Sequence, residues 1–166
     1  MIIKLLPYIT KEQSLSFDDC IQKLKQTYDG YRFFPDGVGV YNPYSLLNAF
    51  SDREFGSYWF ETGTPTFLIK KIKNASFDVR KLTDYTLYAS EGMLKDYTGE
   101  GVDPVPLLYQ TGYLTIVDYD KVGQEYTLSF PNEEVKYGFI ESLMPAFVPD
   151  SSAGSGNMLT DWDVRE

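Results

Sequence analysis

An α+β fold is the prediction for this 166-residue chain, and three observations carry it. Apolar residues return at three- and four-residue spacing behind Ser16, Asn42, Thr64 and Asn132, which is helical periodicity behind cap residues. Two alternating segments, 113–119 and 125–130, face each other across a polar turn containing Gly123, which is hairpin periodicity. Asn-Pro, Thr-Pro and Asp-Gly steps sit at the joints. The expected layout is a short helical subdomain with a small hairpin at 31–41 over residues 1–81, a winged-helix-like subdomain over 82–148 and a flexible tail over 149–166.

In chain order, Ser16 precedes Asp18 and Asp19, so an N-cap with first-turn carboxylates starts a helix that carries Ile21, Leu24 and Tyr28 and ends at Asp29-Gly30. Pro35-Asp36-Gly37 lies between Tyr31-Arg32-Phe33-Phe34 and Val38-Gly39-Val40-Tyr41. Pro presets φ and Gly37 accepts a tight turn, hence the small hairpin. Asn42-Pro43 supplies a cap and an N1 proline for a helix through Leu46, Leu47 and Phe50, and Thr64-Pro65 does the same for one through Phe67, Leu68 and Ile72. Lys70, Lys71 and Lys73 then complement the carbonyl end of that helix, with Asn74 at its C-terminus.

From Leu82 onward, Tyr85 to Tyr88 reads as a strand and Glu91 to Tyr97 as a helical turn. Pro104 and Pro106 start a short helix that Gly112 stops. After the hairpin, Asn132 caps a helix whose stripe is Val135, Phe139, Ile140, Leu143 and Met144. Helix, hairpin, helix suggests the winged-helix-like module. The segment Ser151 to Asn157 is small and polar, as in a flexible linker.

Composition narrows the chemistry. The chain contains no His and a single Cys20, so it lacks the commonest metal ligand and neutral-pH base and forms no internal disulfide. No apolar stretch approaches the ~20 residues of a membrane span, and MIIKLLPYIT is too short a run for a signal peptide, which together predict a cytoplasmic location and no membrane partner. The net charge of −9 is uneven: residues 1–83 carry 11 Lys and Arg against 9 Asp and Glu, residues 84–166 carry 4 against 15. So acidic a second half argues against nucleic-acid binding there; Lys70, Lys71, Lys73, Arg80 and Lys81 are the candidate contacts elsewhere.

No catalytic residue and no metal site is expected. The sequence has no G-x-x-x-x-G-K-[ST] loop, so this chain alone is expected to hydrolyse no ATP and to hold no cofactor. Glu134-Val135-Lys136, with Asp118 and Asp120 upstream, echoes the acid-x-Lys pair of nucleases. In the first turn of a helix those two side chains diverge by about 200°, whereas the chemistry needs them on one strand face. Asp18, Asp19, Glu133 and Glu134 are accounted for as helix-start carboxylates. Arg32, beside the hairpin turn, and the loop Glu61-Thr62-Gly63-Thr64 are the contact candidates, with Asp29 or Asp36 as alternative partners for Arg32; Cys20 reads as core.

The blocks YDGYRF, VYNPYSLLNAF, YWFETGTPTFLIKKI, LLYQTGYLTIVDYD and YTLSFPNEEVKYGFIESL, in that order over about residues 16–147, resemble the C-terminal part of the bacterial AAA-ATPase-like family that is commonly followed by a PD-(D/E)xK nuclease-like domain. The resemblance implies a lid-like helical subdomain before the winged-helix-like one. It also implies a larger parent in which the ATP- and Mg-binding segments lie upstream and the nuclease-like domain downstream, so that an ATPase core and that domain are the partners. By the same analogy Arg32 is the candidate for a nucleotide contact. Ser16, Gly30, Gly37, Asn42, Pro43, Thr64, Pro65, Gly112 and Asn132 are the expected caps and turns.

Overall fold

The computed structural model describes residues 2–60, 66–75, 77–82, 86–95 and 103–147; the cap Thr64-Pro65, the loop 61–64 and the tail 149–166 lie outside them. The fold is α+β. Among the described residues seven α-helices surround one small three-stranded antiparallel sheet.

The chain opens with α1 (Ile2–Gln13), which contains Pro7. An interior proline costs about 3 kcal/mol of helix stability. Leu6 and Ile9 are 3% and 0% exposed, and burial of each side chain contributes about 1.5–3 kcal/mol, enough to hold the helix across the defect. Next, α2 (Phe17–Tyr28) starts where expected: Ser16 Oγ accepts from Asp19 N at 3.1 Å, and Asp29 forms the C-cap. Asn42 caps α3 (Pro43–Asp52), its Oδ1 accepting from Tyr44 N at 3.0 Å and Ser45 N at 3.4 Å. Helices α1, α2 and α3 pack on one another around Cys20, Leu24, Tyr28, Ala49 and Tyr58. Tyr28 is wholly buried, and its hydroxyl donates to Gly56 O at 2.9 Å and accepts from Gly56 N at 3.0 Å, so its polar tip is satisfied within the first core.

The hairpin expected over 31–41 is reduced to a single antiparallel bridge between Tyr31 and Val40. The turn survives, Gly37 N donating to Phe34 O at 2.9 Å. The ladder does not extend beyond this pair; the backbone groups of the next residue, Arg32, face away from Val40 and are engaged by the Thr115 side chain. Phe33 and Phe34 consequently project into solvent, 70% and 72% exposed.

The second core is built on α4 (Thr66–Asn74), a 3-10 turn (Val79–Leu82), β1 (Leu87–Ser90), α5 (Glu91–Lys95), α6 (Val105–Gln110), β2 (Thr115–Asp120), β3 (Glu125–Ser129) and α7 (Glu133–Phe147). The sheet order is β1-β3-β2, with a bulge in β2 between Ile116 and Asp118. Gly112 ends α6 at φ +82. Asn132 caps α7, its Oδ1 accepting from Val135 N at 3.0 Å, and Val135 and Phe139 of the expected stripe are buried. Leu68 and Ile72 of α4, grouped by sequence with residues 1–81, bury themselves in this second core. The apolar cores therefore change over near residues 59–60.

Candidate functional site

The most heavily built place in the molecule is the seam where the chain leaves the first core and enters the second. Trp59 and Phe60 follow Tyr58, the last residue of the first core, and both pack against the second. Trp59 N donates to Glu134 Oε1 at 2.9 Å, its ring lies 6.2 Å from that of Tyr31, and its Cη2 would be 3.3 Å from a Cβ at Gly112. Phe60 continues into a row of rings: 5.9 Å to Tyr113, then 5.4 Å from Tyr113 to Phe139 and 5.2 Å from Phe139 to Phe130. Edge-tilted rings at these separations are favourable beyond their buried area.

Close approach at the seam depends on glycines. A Cβ at Gly138 of α7 would overlap the Phe60 ring, and one at Gly30 would overlap the Pro131 carbonyl. Gly30 also sits at φ +109, a conformation that L side chains rarely adopt. Gly138 in mid-helix costs about 1 kcal/mol relative to Ala, a cost offset by the ring that lies on it.

Glu134 departs from expectation. It is 4% exposed, so it is not a surface carboxylate explained by the helix dipole alone. Its charge lies near Tyr28 and Tyr31, whose phenols are pushed up chiefly by burial and further by this carboxylate. Glu133 remains exposed as expected. The Glu134/Lys136 pair does fall in the first turn of a helix and diverges: Glu134 turns inward to Trp59, and Lys136 Nζ lies 5.9 Å from the Tyr137 ring centroid.

Arg32 belongs to the same seam. Its N–H donates to Thr115 Oγ1 at 2.7 Å, the Thr115 hydroxyl donates to Arg32 O at 3.2 Å, and Arg32 Nη1 donates to Val117 O at 3.3 Å. Among the described residues it forms no ion pair with Asp29 or Asp36; Asp29 Oδ1 instead accepts from Gly30 N at 2.8 Å. Among the described contact candidates, Arg32 reaches the seam.

The cationic candidates are placed on two elements. Lys71 and Lys73 occupy the last turn of α4, and Lys70 precedes them. Arg80 and Lys81 lie in the 3-10 turn, where Arg80 grips Asp78 with two 2.9 Å bonds that hold the Asp78 carboxyl below the usual carboxylate range. The α6 sequence, VPLLYQ, contains neither Lys nor Arg. Cys20 is fully buried as expected of a core residue, and burial pushes its thiol up. Among the described residues no group of three or more Cys, Asp or Glu is gathered closely enough to hold a metal ion. A surface depression of about 480 Å³ is lined by Glu12, Gln13, Ser51, Asp52, Arg53 and Glu54. Among the described residues no helix is long and apolar enough to cross a membrane.

Trp59, Phe60 and Gly138 were not singled out by sequence as site residues, and Glu134 was weighed only as half of an acid-x-Lys pair and as a helix-start carboxylate. The available signals were a Trp-Phe pair directly before a Gly/Thr/Pro loop and a glycine inside an otherwise apolar helical stripe.

No protein-family model matches the chain, and no solved structure does. A curated protein from Azotobacter chroococcum mcd 1, described as "Uncharacterized protein in vnfD 5'region", is 35% identical over 133 residues, which is 79% of this chain and 25% of that protein. The chain thus spans about a quarter of the length of the curated relative it matches.

Proposed function

We propose that this chain is a non-catalytic coupling segment of an AAA-ATPase-like protein, a lid-like helical unit and a winged-helix-like unit that join an ATPase core to a nuclease-like effector domain. The observation that carries the reading is the Trp59–Phe60 anchor, which directly follows Tyr58 of the first core, packs on the second and is held there by Glu134, Gly112 and Gly138. A connecting part has to transmit displacement, and a close-packed seam between two cores does so because packed interfaces resist continuous deformation. The order of the five sequence blocks and a match that covers a quarter of a longer relative support the same reading.

In this reading ATP and Mg bind elsewhere in the parent, and the exposed loop carrying Phe33, Phe34 and Val38 is a surface offered to the rest of it. The purified chain turns over no ATP; robust hydrolysis by a clean preparation contradicts the proposal.

One observation favours a second reading, a winged-helix nucleic-acid-binding module. The order α4, β1, α5, α6, β2, β3 with sheet order β1-β3-β2 places a helix pair beside a three-stranded sheet. A recognition helix works with side chains that reach bases and phosphates, and α6 offers none that is positively charged. Salt-sensitive binding to duplex DNA that is weakened by removing Lys70, Lys71, Lys73, Arg80 or Lys81 favours this reading over the first. No band shift at low salt removes it.

A further inference from the structure

In the order β1-β3-β2, strand β2 has an outer edge among the described residues, and unpaired backbone groups on an edge strand are a template for pairing with another chain. Three attachments occupy this edge. Arg32 N and O both bond the Thr115 hydroxyl, at 2.7 and 3.2 Å, so a separate segment lies beside the start of β2. That segment does not extend the sheet, because its bonds go to the Thr115 hydroxyl and not to the backbone of β2. Val117 is the extra residue of the bulge and so has no partner in β3; its carbonyl accepts from the Arg32 guanidinium at 3.3 Å. Tyr119 N donates to Asp118 Oδ1 at 2.8 Å, so that N–H is not available to an incoming strand.

A bulge, a charged side chain lying on the edge and a self-capped amide are three independent ways of blunting a strand. Their concentration within five residues of one strand is unexplained by the packing of the core, since Asp118 is exposed and Arg32 is half-buried. We propose that Arg32 and Asp118 guard the β2 edge against strand addition, and that they keep the sheet from extending into the sheet of a second copy of this chain. This role for Arg32 is independent of the coupling function and stands or falls separately from it.

The test uses the full 166-residue chain at physiological ionic strength. Sedimentation velocity over a range of concentrations compares the natural sequence with Arg32→Ala, Asp118→Ala and the double substitution, while far-UV circular dichroism reports the fold. Freeing one or two backbone groups for intermolecular pairing corresponds to a rise in the self-association constant of about tenfold or more in the double variant. Arg32→Lys, which keeps one cationic donor for Val117 O, remains at the natural level. Asp118→Ala alters an exposed side chain and keeps the test decisive even where the double variant unfolds. Unchanged association of folded Asp118→Ala and Arg32→Ala overturns the proposal, as does an equal rise on removing a remote exposed cation by Arg80→Ala.

Discussion

Glu134 Oε1 accepts a hydrogen bond from the backbone N–H of Trp59 at 2.9 Å, joining residues 75 positions apart just where the chain leaves Tyr58 of the first core and packs on the second. The bond satisfies a backbone donor at the point where the chain crosses the seam. Its acceptor is a carboxylate that α7 carries in its first turn, where the helix dipole also favours negative charge.

Glu134→Ala leaves the Trp59 N–H without that acceptor inside the seam, and an unsatisfied buried donor costs about 1–3 kcal/mol. Glu134→Gln keeps a carbonyl acceptor of the same shape and loses less. Urea unfolding of the two variants checks both the loss and its order; an equal loss for Ala and Gln contradicts the assignment of the bond.

Gly138→Ala sets helix propensity against packing. Alanine is better than glycine in a helix by about 1 kcal/mol, whereas forcing a methyl group into the Phe60 ring costs about 1–3 kcal/mol. Net destabilisation is expected, and Phe60→Leu in the same molecule relieves it, so the pair is non-additive in a double-mutant cycle. Gly30→Ala is worse than Gly138→Ala, because its neighbour is the Pro131 backbone and its φ is +109. Thermal melts give the ranking.

Much of this architecture was legible in the sequence, and what was legible is local. Ser16, Asn42 and Asn132 cap helices as their residue types demand, and the alternation around Gly123 forms the β2–β3 hairpin. What escaped is long-range. No helix was expected over residues 2–13, yet burial of Leu6 and Ile9 keeps them helical across Pro7. The 31–41 hairpin shrinks to one bridge, and the outward-facing Arg32 backbone is taken by Thr115, more than 80 residues away. Glu134 looked like a dipole carboxylate because nothing nearby in sequence announces Trp59, and nothing local marks Gly138, whose reason is the Phe60 ring.

The two capping asparagines test the local part of the account. Asn42→Ala and Asn132→Ala each remove a side-chain acceptor from a helix N-terminus, at a cost of about 0.5–2 kcal/mol. Asn→Asp at either position retains most of the stability, because a carboxylate caps equally well and complements the dipole. Denaturant midpoints of the four variants are the readout.

Alkaline pH is expected to destabilise the protein through Tyr28 and Tyr31. Burial, the largest cause for both, raises their phenols above the ordinary value near 10, so the neutral form is favoured in the fold. The corresponding stability is fully present below about pH 10 and is lost as pH rises toward the folded values, at about 1.4 kcal/mol per pH unit for each group. Absorbance of tyrosinate against pH should show these two rings ionising only as the protein unfolds. Free ionisation of all 14 tyrosines near pH 10 with the fold intact contradicts it.

If the Trp59–Phe60 anchor makes two cores into one mechanical unit, native-state hydrogen exchange reads it out. Amides flanking Leu24 in the first core and Leu128 in the second are expected to exchange through a common opening, with the same free energy and the same dependence on denaturant. Glu134→Ala is expected to split that opening into two of unequal free energy. If the unmodified chain already exchanges through two separate openings, one for each core, the seam does not couple them and the account is wrong.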